Sequence, residues 1–544
     1  MSRPEPQFDI FIIGSGPSGT HAALEAVVSG RKVALLDVGY TDNRFASLVP
    51  YRSFSEIRKT DPNQHVYFLG DDPAECLRRQ SKGGAHLTPA RQHMIRDMDT
   101  LFPLESDSFA PLQSSGLGGL GISWGANCFA LESFELERIG IPPAEISPYY
   151  RAAAEEVGMS GRVDDCLAPL IANLDHRAIQ PPIPVDTNAE TILRQYGKHE
   201  KCHIERGFYM GQSLLAMISQ PTAAHASAGR QANPQFDMDF WADLGKSVYR
   251  PRYSVEKLKT YPNFTHLTGR LAMSLAEDNG AVNVRSREIG ANRLETFTAR
   301  KVLLAAGAIN SGKLALASFR DPSARLPILC NRNHWMAGIN LAMLGRPARD
   351  QRHSLSQLTV LMRTASGERD YVLAQIYSYR SLLWFRLLQD IPLPPRLGLL
   401  FLRLIATAFT CVNIHFSDRP SADRWIQLSD ENILKASCTF TRQEEELLRQ
   451  EERRLVGFLA GLRCLPLGIT KPAHGASIHY AGTLPYTQEE RPFTTDLNGK
   501  LRGTSHVYVA DGSTWQFLPA KGLTLTLMAN ARRVAAEAVR DLAR

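Results

Sequence analysis

A glycine-rich turn between two predicted strands constrains the fold of this chain more than any other feature. Residues 8–13 (FDIFII) have the length and β-branched content of a buried parallel strand, and GSGPSG follows at residues 14–19. The Ala- and Leu-rich residues 20–29 predict a helix that stops at Gly30, and residues 32–36 predict a second strand. The sequence therefore predicts a βαβ unit and an α/β fold.

The spacing of the glycines in this turn is that of a dinucleotide-binding turn. Gly14 permits the tight turn, Gly16 lets the backbone approach a pyrophosphate, and Gly19 lets the helix pack closely on the strand. Pro17 and Ser18 lie in the first turn of the predicted helix, whose N-terminus stabilises the negative charge of a pyrophosphate. A tight turn in an α/β domain without a ligand is the alternative interpretation.

A carboxylate at the end of the second predicted strand narrows the choice of nucleotide. Asp37 lies 23 positions after Gly14, where a carboxylate can bind the ribose hydroxyls of an adenosine and would repel the 2′-phosphate of NADP. The turn and the carboxylate do not by themselves choose between FAD and NAD.

The far end of the chain favours FAD. Residues 507–513 (VYVADGS) predict a strand that ends in Asp-Gly-Ser, and residues 524–538 predict an amphipathic helix. An NAD domain is normally finished within one contiguous segment. A flavin domain is often closed by a C-terminal strand and helix that return to the first βαβ unit.

Several further segments carry a family resemblance, and they occur in the family's order along the chain. They are GGLGISWGAN at residues 118–127, PYY at 148–150, PNFT at 262–265, DNG at 278–280, VLLAAGAI at 302–309, and HYAGT at 479–483, which is similar to an HxxGT motif. Together with the two ends of the chain, these segments resemble the glucose–methanol–choline (GMC) oxidoreductases, FAD enzymes that oxidise alcohols. The resemblance is greatest to the pyranose-oxidase and gluconate-dehydrogenase-like branch.

The resemblance implies a fold in which two domains are interleaved along the chain. The expected class is α/β, α+β overall, with a Rossmann-like FAD-binding domain of GMC type and a substrate domain built on an antiparallel sheet. The predicted segments are 1–45, 110–165, 256–320 and 470–544 for the FAD-binding domain, 46–109 for a connecting or lid region, and 166–255 and 321–469 for the substrate domain. The alternating runs at 407–416 and 424–428 suit the substrate-domain sheet.

The resemblance also implies which residues bind FAD. They are Gly14, Gly16, Pro17, Ser18, Gly19, Asp37, Gly118, Gly119, Ser123, Trp124, Asn127, Ala306, Gly307, Asp511 and Gly512. In the pyranose branch, the second glycine-rich loop can carry a histidine that is joined covalently to the flavin, and Ser123 occupies that place here. We therefore expect the FAD to be held noncovalently.

His479, at the start of the HxxGT-like motif, is the expected catalytic base, because the family uses a histidine to take the hydroxyl proton. The family supports this histidine with a second His or Asn, and the alignment puts Gly522 at that position. Lys521, Thr524 or a nearby loop residue could replace the missing group, or His479 could act alone. A solvated loop lysine is the alternative interpretation of Lys521.

Composition limits the partners of the chain. The 62 Lys and Arg exceed the 55 Asp and Glu by only 7, without a long basic block, so nucleic acid is not an expected partner. The eight cysteines are scattered, which predicts reduced thiols and no metal site. The polar first residues show no signal segment, so a cytoplasmic location is expected.

The sequence leaves alternatives open for the role of two apolar runs, for the substrate and for the reaction. Charges and prolines interrupt the runs at 382–388 and 397–406, which therefore suit either buried helices or a patch for peripheral membrane contact or a lipid-linked substrate. The expected substrate is a small alcohol, either a sugar or polyol or a hydrophobic alcohol, and the electron acceptor is unknown. A flavoenzyme of another reaction, such as a desaturase or isomerase, and a catalytically silent flavin-binding subunit are the rival hypotheses.

Overall fold

The computed structural model describes residues 5–72, 87–319, 321, 323–347, 351–365, 369–378, 392–394, 396–398, 400 and 405–543. The apolar run at 382–388, and residues 399 and 401–404 of the run at 397–406, lie outside these described residues. Within the described part of the chain, no helix combines the length and apolar character needed to cross a membrane.

Strands and helices alternate at the start of the chain, and antiparallel strands dominate its middle. In chain order the strands are β1 (Phe8–Ile13), β2 (Val33–Leu36), β3 (Leu104–Glu105), β4 (Phe208–Gln212), β5 (Phe264–Leu267), β6 (Arg270–Asp278), β7 (Ala281–Glu288), β8 (Arg293–Leu304), β9 (Leu326–Pro327), β10 (Leu329–Cys330), β11 (Asn333–Asn340), β12 (Leu358–Arg363), β13 (Tyr371–Ser378), β14 (Phe409–Phe416), β15 (Arg424–Leu428), β16 (Leu434–Cys438), β17 (Cys464–Thr470), β18 (Tyr480–Ala481) and β19 (Val507–Val509).

The helices of the described residues follow the same order along the chain. They are α1 (Pro17–Val27), α2 (Phe45–Leu48), α3 (Phe54–Thr60), α4 (Gln64–Leu69), α5 (Met98–Leu101), α6 (Ser133–Arg138), α7 (Pro143–Val157), α8 (Thr187–Gly197), α9 (Glu200–Glu205), α10 (Ala223–Ser227), α11 (Pro251–Leu258), α12 (Ala308–Ser318), α13 (Arg442–Gly461) and α14 (Thr524–Asp541).

The first sheet brings both ends of the chain together. Its strands lie in the order β5-β2-β1-β8-β7-β6, and β19 also pairs with β8. The first half of β8 is antiparallel to β7, whereas its last residues are parallel to β1 and to Val507–Val509. The predicted return of the C-terminal strand to the first βαβ unit is therefore confirmed.

Alternation along β1 places helices on both faces of this sheet. Ile10 and Ile12 pack with apolar residues of α1 and α14, whereas Phe11 and Ile13 pack with residues of α12. A parallel strand that is covered on both faces has to be apolar at every position. This is why residues 10–13, the buried part of the strand, form a continuous apolar run, whereas the polar Asp9 lies in its less buried first part.

The DNG segment at residues 278–280 forms the turn of the hairpin between β6 and β7. Asn279 and Gly280 both have positive φ, of 52° and 82°. Two consecutive residues with positive φ form the type I′ turn that joins antiparallel strands most tightly, and Asn-Gly is its preferred sequence.

A second, six-stranded sheet is antiparallel throughout, in the order β17-β11-β14-β13-β12-β4. One face packs on α8 and α13 through an apolar core that contains Val412 and Ile414 of β14. The predicted strand at 407–416 is therefore confirmed as a central strand of this sheet. The run at 424–428 differs from the prediction, because β15 belongs to a separate four-stranded sheet with β3, β9 and β16.

Candidate active site

A cavity of about 460 Å³ is bordered by both large sheets. The first sheet and its helices contribute the glycine-rich turn, and the antiparallel sheet contributes residues of β13 and β14. Of the residues predicted from the sequence, the following line this cavity: Gly14, Gly16, Pro17, Ser18, Asp37, Gly119, Ser123, Trp124, Asn127, Ala306, Gly307, His479, Asp511, Gly512 and Thr524. Gly19, Gly118 and Lys521 are not among the residues that line it.

The glycines of the first turn have separate structural roles. Gly14 has φ of +106°, and a Cβ there would lie 2.4 Å from the carbonyl oxygen of Ala305. A Cβ on Gly19 would lie 1.8 Å from the carbonyl oxygen of Gly14, so Gly19 lets α1 pack against the turn. A Cβ on Gly16 would meet no protein atom within 4 Å. Gly16 therefore leaves its backbone open to a ligand in the cavity.

The second glycine-rich loop lies directly against the first. A Cβ on Gly119 would be 3.1 Å from Cα of Gly16. The backbone N–H of Gly118 donates to Oγ of Ser15 over 3.0 Å, which ties the second loop to the first. The two loops therefore form one cradle of backbone, which includes the turn that the sequence predicted for a pyrophosphate.

Asp37 has one carboxylate oxygen available to a ligand. Its Oδ1 accepts from Nε2 of His266 over 3.0 Å, whereas its buried Oδ2 has no hydrogen-bond partner among the described residues. The residue is 8 % exposed. Because buried carboxylate oxygens are nearly always hydrogen-bonded, this oxygen fits a ribose hydroxyl. The residues of the cradle and Asp37 thus fit an adenosine dinucleotide.

Asp511 lines the cavity but uses both carboxylate oxygens within the protein. Oδ2 accepts from the backbone N–H of Gly307 over 2.8 Å and from Oγ of Ser311 over 2.6 Å. Oδ1 accepts from the N–H and the hydroxyl of Ser513. Asp511 therefore ties the end of β19 to the N-terminus of α12 at the rim of the cavity.

A short antiparallel pair positions His479 on the cavity wall. Cys330 of β10 pairs with Tyr480 of β18, so the next residues along, Asn331 and His479, lie opposite each other. Nδ1 of His479 is 3.0 Å from Oδ1 of Asn331. The Asn331 amide is oriented by its Nδ2, which donates to the carbonyl oxygen of Phe416 over 2.6 Å.

This contact determines where the proton of His479 lies. Because Oδ1 of Asn331 can only accept, Nδ1 of His479 must carry its hydrogen, and Nε2 is then an unprotonated acceptor. No described residue bonds that Nε2. Burial lowers the pKa of His479 to about 4, so the ring is neutral at neutral pH.

A second histidine, which the sequence did not single out, lies against His479. The His415 ring of β14 stacks on the His479 ring with centroids 5.1 Å apart and 22° between the planes. His415 lines the cavity, and its buried Nδ1 has no partner among the described residues. Burial, and then electrostatic repulsion between the two rings when both are protonated, hold the pKa of His415 well below its ordinary value. Only its place in an alternating strand could have indicated this residue.

The structure accounts for the glycine at position 522. A Cβ there would lie 2.9 Å from the carbonyl oxygen of Asn127 and 3.3 Å from its Oδ1. A side chain is excluded because the second glycine-rich loop occupies the space. Thr524, the first residue of α14, does line the cavity.

Lys521 lies in neither of the environments that the sequence suggested. Its side chain is fully buried, and Nζ is 2.6 Å from Oε2 of Glu135 and 3.2 Å from Oε2 of Glu132. It also lies over the ring of Tyr371 at 4.7 Å. Lys521 therefore anchors the segment before α14 to α6, instead of facing solvent or the cavity.

The known proteins that resemble this chain do so in fold. No family model matches the sequence, and no curated protein matches it significantly. Pyridoxine 4-oxidase from Mesorbium loti is similar in structure, with a TM-score of 0.56 and 13 % identity over 98 % of this chain and 99 % of that one.

A second solved structure is similar over the full length. It is a mutated formate oxidase from Aspergillus oryzae RIB40, described for the effect of the mutation on FAD modification. Its TM-score is 0.61, with 12 % identity over 99 % of this chain and 100 % of that one. At this identity, the likeness establishes the fold. The chain therefore has the α/β architecture that its sequence predicted, in which a Rossmann-like part is combined with an antiparallel sheet, and it shares this fold with the two solved oxidases.

Proposed function

We propose that this protein is an FAD-dependent oxidoreductase that oxidises the CH–OH group of an alcohol, with His479 as the base. One observation carries the proposal. The neutral His479, whose free Nε2 is set by Asn331, lines the same cavity as the glycine cradle and Asp37. The two structural neighbours are both named as oxidases, which supports the same class of reaction.

FAD is the cofactor that suits this cavity. The backbone of the two glycine-rich loops would hold the pyrophosphate, and Oδ2 of Asp37 would accept from a ribose hydroxyl. When bound, FAD supplies the acceptor for the hydride of the alcohol carbon. We propose that it is held noncovalently, since Ser123 cannot form the histidyl bond of the pyranose branch, and acid precipitation would then release all flavin from the protein.

The chain's own residues handle the proton of the substrate. Nε2 of His479 accepts the hydroxyl proton, and the resulting positive ring keeps its Nδ1–H bond to Oδ1 of Asn331. His415, stacked on this ring, takes the place of the group that is missing at Gly522 and bonds the substrate oxygen. A base placed in this way contributes about 10²–10⁴ in rate.

Replacement of His479 tests the proposal. We expect His479→Ala to retain FAD, as measured by its visible absorbance, and to lose about 10²-fold or more in the anaerobic rate at which an alcohol bleaches the flavin. His474→Ala is the matched control, because His474 stacks on Phe440 and is not among the cavity-lining residues. A protein without flavin, or a His479→Ala variant at full rate, would contradict the proposal.

A further inference from the structure

One wall of the cavity is made by alternate residues of two strands. Gln375 and Tyr377 of β13 and Asn413 and His415 of β14 line the cavity. The intervening residues, Ala374, Ile376, Val412 and Ile414, pack in the apolar core on the other face of the sheet. Successive side chains of a strand point to opposite faces, so polar groups occupy consecutive positions of one face and apolar groups occupy the other.

The strand register joins these polar groups into one row. Gln375 pairs with Asn413, and on the far side Gln375 pairs with Thr359 of β12. Thr359 is already satisfied by Ser213, whose hydroxyl lies 2.9 Å away. The amides of Gln375 and Asn413 therefore stand side by side on the face that borders the cavity, and Asn413 is two residues from His415.

These amides have hydrogen-bonding capacity that the described residues do not use. Oδ1 of Asn413 is buried without a partner, and the residue is 8 % exposed. Oε1 of Gln375 accepts from the hydroxyl of Tyr377 over 2.8 Å, which leaves the Gln375 Nε2 as a donor that no described residue meets. Buried polar groups are nearly always hydrogen-bonded, so the buried Asn413 oxygen on this cavity wall indicates a ligand that completes it, and the Gln375 donor stands beside it.

We infer that this row recognises the substrate, and that the substrate is a polar alcohol with at least two hydrogen-bonding groups besides the hydroxyl that reacts. Oδ1 of Asn413 accepts from one of these groups, and Nε2 of Gln375 donates to another. The inference rests on the proposed function and excludes one of its two substrate classes, the hydrophobic alcohols. An aliphatic chain against this row would leave both amides unsatisfied, and such a loss makes a polar site reject the analogue without the polar group.

Alcohols of equal carbon number but different polarity test the inference. The holoprotein is mixed anaerobically with glycerol or 1-propanol, with xylitol or 1-pentanol, and with myo-inositol or cyclohexanol, and the rate of flavin bleaching is measured for each. We expect the polyhydric member of at least one pair to react about tenfold faster or more, because each bond to the row contributes only to that member.

Variants of the row link the selectivity to these residues. We expect Asn413→Leu and, as a second variant, Gln375→Leu to lower the ratio of the polyhydric to the monohydric rate about tenfold. Ile414→Val is the matched control, because Ile414 lies on the same strand but packs into the opposite face. The control should retain the selectivity of the unaltered protein.

The outcomes separate this inference from the proposed function. Faster bleaching by the monohydric alcohols, or an unchanged rate ratio in both leucine variants, overturns the inference and leaves alcohol oxidation standing. Bound flavin that none of the six alcohols reduces overturns the inference as well. Only a chain that binds no FAD, or a His479→Ala variant that reacts as fast as the unaltered protein, also removes the proposed function.

Discussion

At the scale of single residues, the side chain of Asn331 decides what His479 can do. Its amide is held by backbone carbonyl oxygens on one side and accepts from Nδ1 of His479 on the other. A histidine on a cavity wall could present either nitrogen as a donor or as an acceptor, and a base needs the acceptor. Asn331 fixes Nε2 of His479 as the acceptor and carries no charge. Burial alone therefore lowers the pKa of the ring.

The pH dependence of the reaction follows from this environment. Burial lowers the pKa of His479 to about 4, from an ordinary value of 6.5. A base acts when it is unprotonated, so we expect kcat/KM to be constant from neutral pH down to about pH 5 and to fall only as the pH drops through about 4. Anaerobic rates of flavin bleaching at subsaturating alcohol, over the pH range in which the flavin stays bound, measure this profile.

Asn331→Asp provides the control, because a carboxylate beside Nδ1 would stabilise the protonated His479 ring and raise its pKa. The unaltered protein should show no loss of rate near pH 6.5, where an exposed histidine would become protonated. A half-maximal kcat/KM at that pH would mean that His479 is not buried as described, or that another group is the base.

The sequence could predict His479 but neither of its partners. His479 lies in a local HxxGT-like motif, whereas Asn331 is 148 residues away and His415 belongs to a strand without a motif. Their proximity depends on the β10–β18 pairing and on the register of β14, which no local spacing encodes. The missing group at Gly522 was visible in the sequence, but its steric cause, the carbonyl oxygen of Asn127, was not.

At the scale of elements, the first turn and α1 were predicted because most of their determinants are local. The turn needs Gly14 for its positive φ and Gly19 for the close approach of the helix, and both needs depend on neighbours in sequence. The strand β15 was assigned to the wrong sheet because an alternating pattern predicts a strand and a buried face, but not the partner strand.

Gly16 and Gly19 should differ in their roles, because Gly16 is needed for FAD binding and Gly19 for the stability of the fold. Gly16 has φ of −65° and open space beyond its Cα, so Gly16→Ala should leave the free energy of unfolding of the FAD-free protein almost unchanged. The added methyl group would meet the bound pyrophosphate, and we expect FAD binding to weaken about tenfold or more. Equilibrium unfolding of the FAD-free protein and titration with FAD measure the two effects separately.

Gly19→Ala is the matched comparison at the same turn. Its Cβ would meet the carbonyl oxygen of Gly14, so α1 would have to move from the sheet. We expect this variant to lose stability without FAD, by about 1–3 kcal/mol as for other overpacked sites. Equal loss of stability in both alanine variants would contradict the separate roles assigned to the two glycines.

At the scale of the whole molecule, the fold joins segments that are far apart in sequence. The parallel pairing of β19 with β8 and the packing of α14 on α1 close the first sheet with the last residues of the chain. The sequence indicated this closure through the order of several weak motifs. It could not indicate how the intervening antiparallel sheet presents Gln375 and Asn413 to the cavity, because that depends on pairing among strands without motifs.

The stability of the whole chain should depend on pH through its buried neutral histidines. Burial lowers the pKa of His353 to about 4, and this residue is 1 % exposed. Between about pH 6.5 and pH 4 the unfolded chain takes up a proton that the folded His353 refuses, so its contribution to stability is complete above pH 6.5 and is lost as the pH falls through this range. The contribution is of the order of 1–3 kcal/mol.

Two buried carboxyl groups have the opposite effect on how the unfolding free energy depends on pH. A comparison of the unaltered protein with His353→Gln is therefore more informative than the pH profile of the unaltered protein alone. Burial raises the pKa of Asp237 and of Asp418 to about 6, and a group of this kind stabilises the fold at low pH and loses that effect as the pH rises toward 6. The dependence of the unfolding free energy of the unaltered protein on pH is therefore the sum of two opposing contributions. His353→Gln lacks the contribution of this histidine. The difference in unfolding free energy between the two proteins should therefore change between pH 6.5 and pH 4 and be constant above pH 7. A difference that is independent of pH would show that His353 titrates alike in both states, because only a shifted pKa couples protonation to folding.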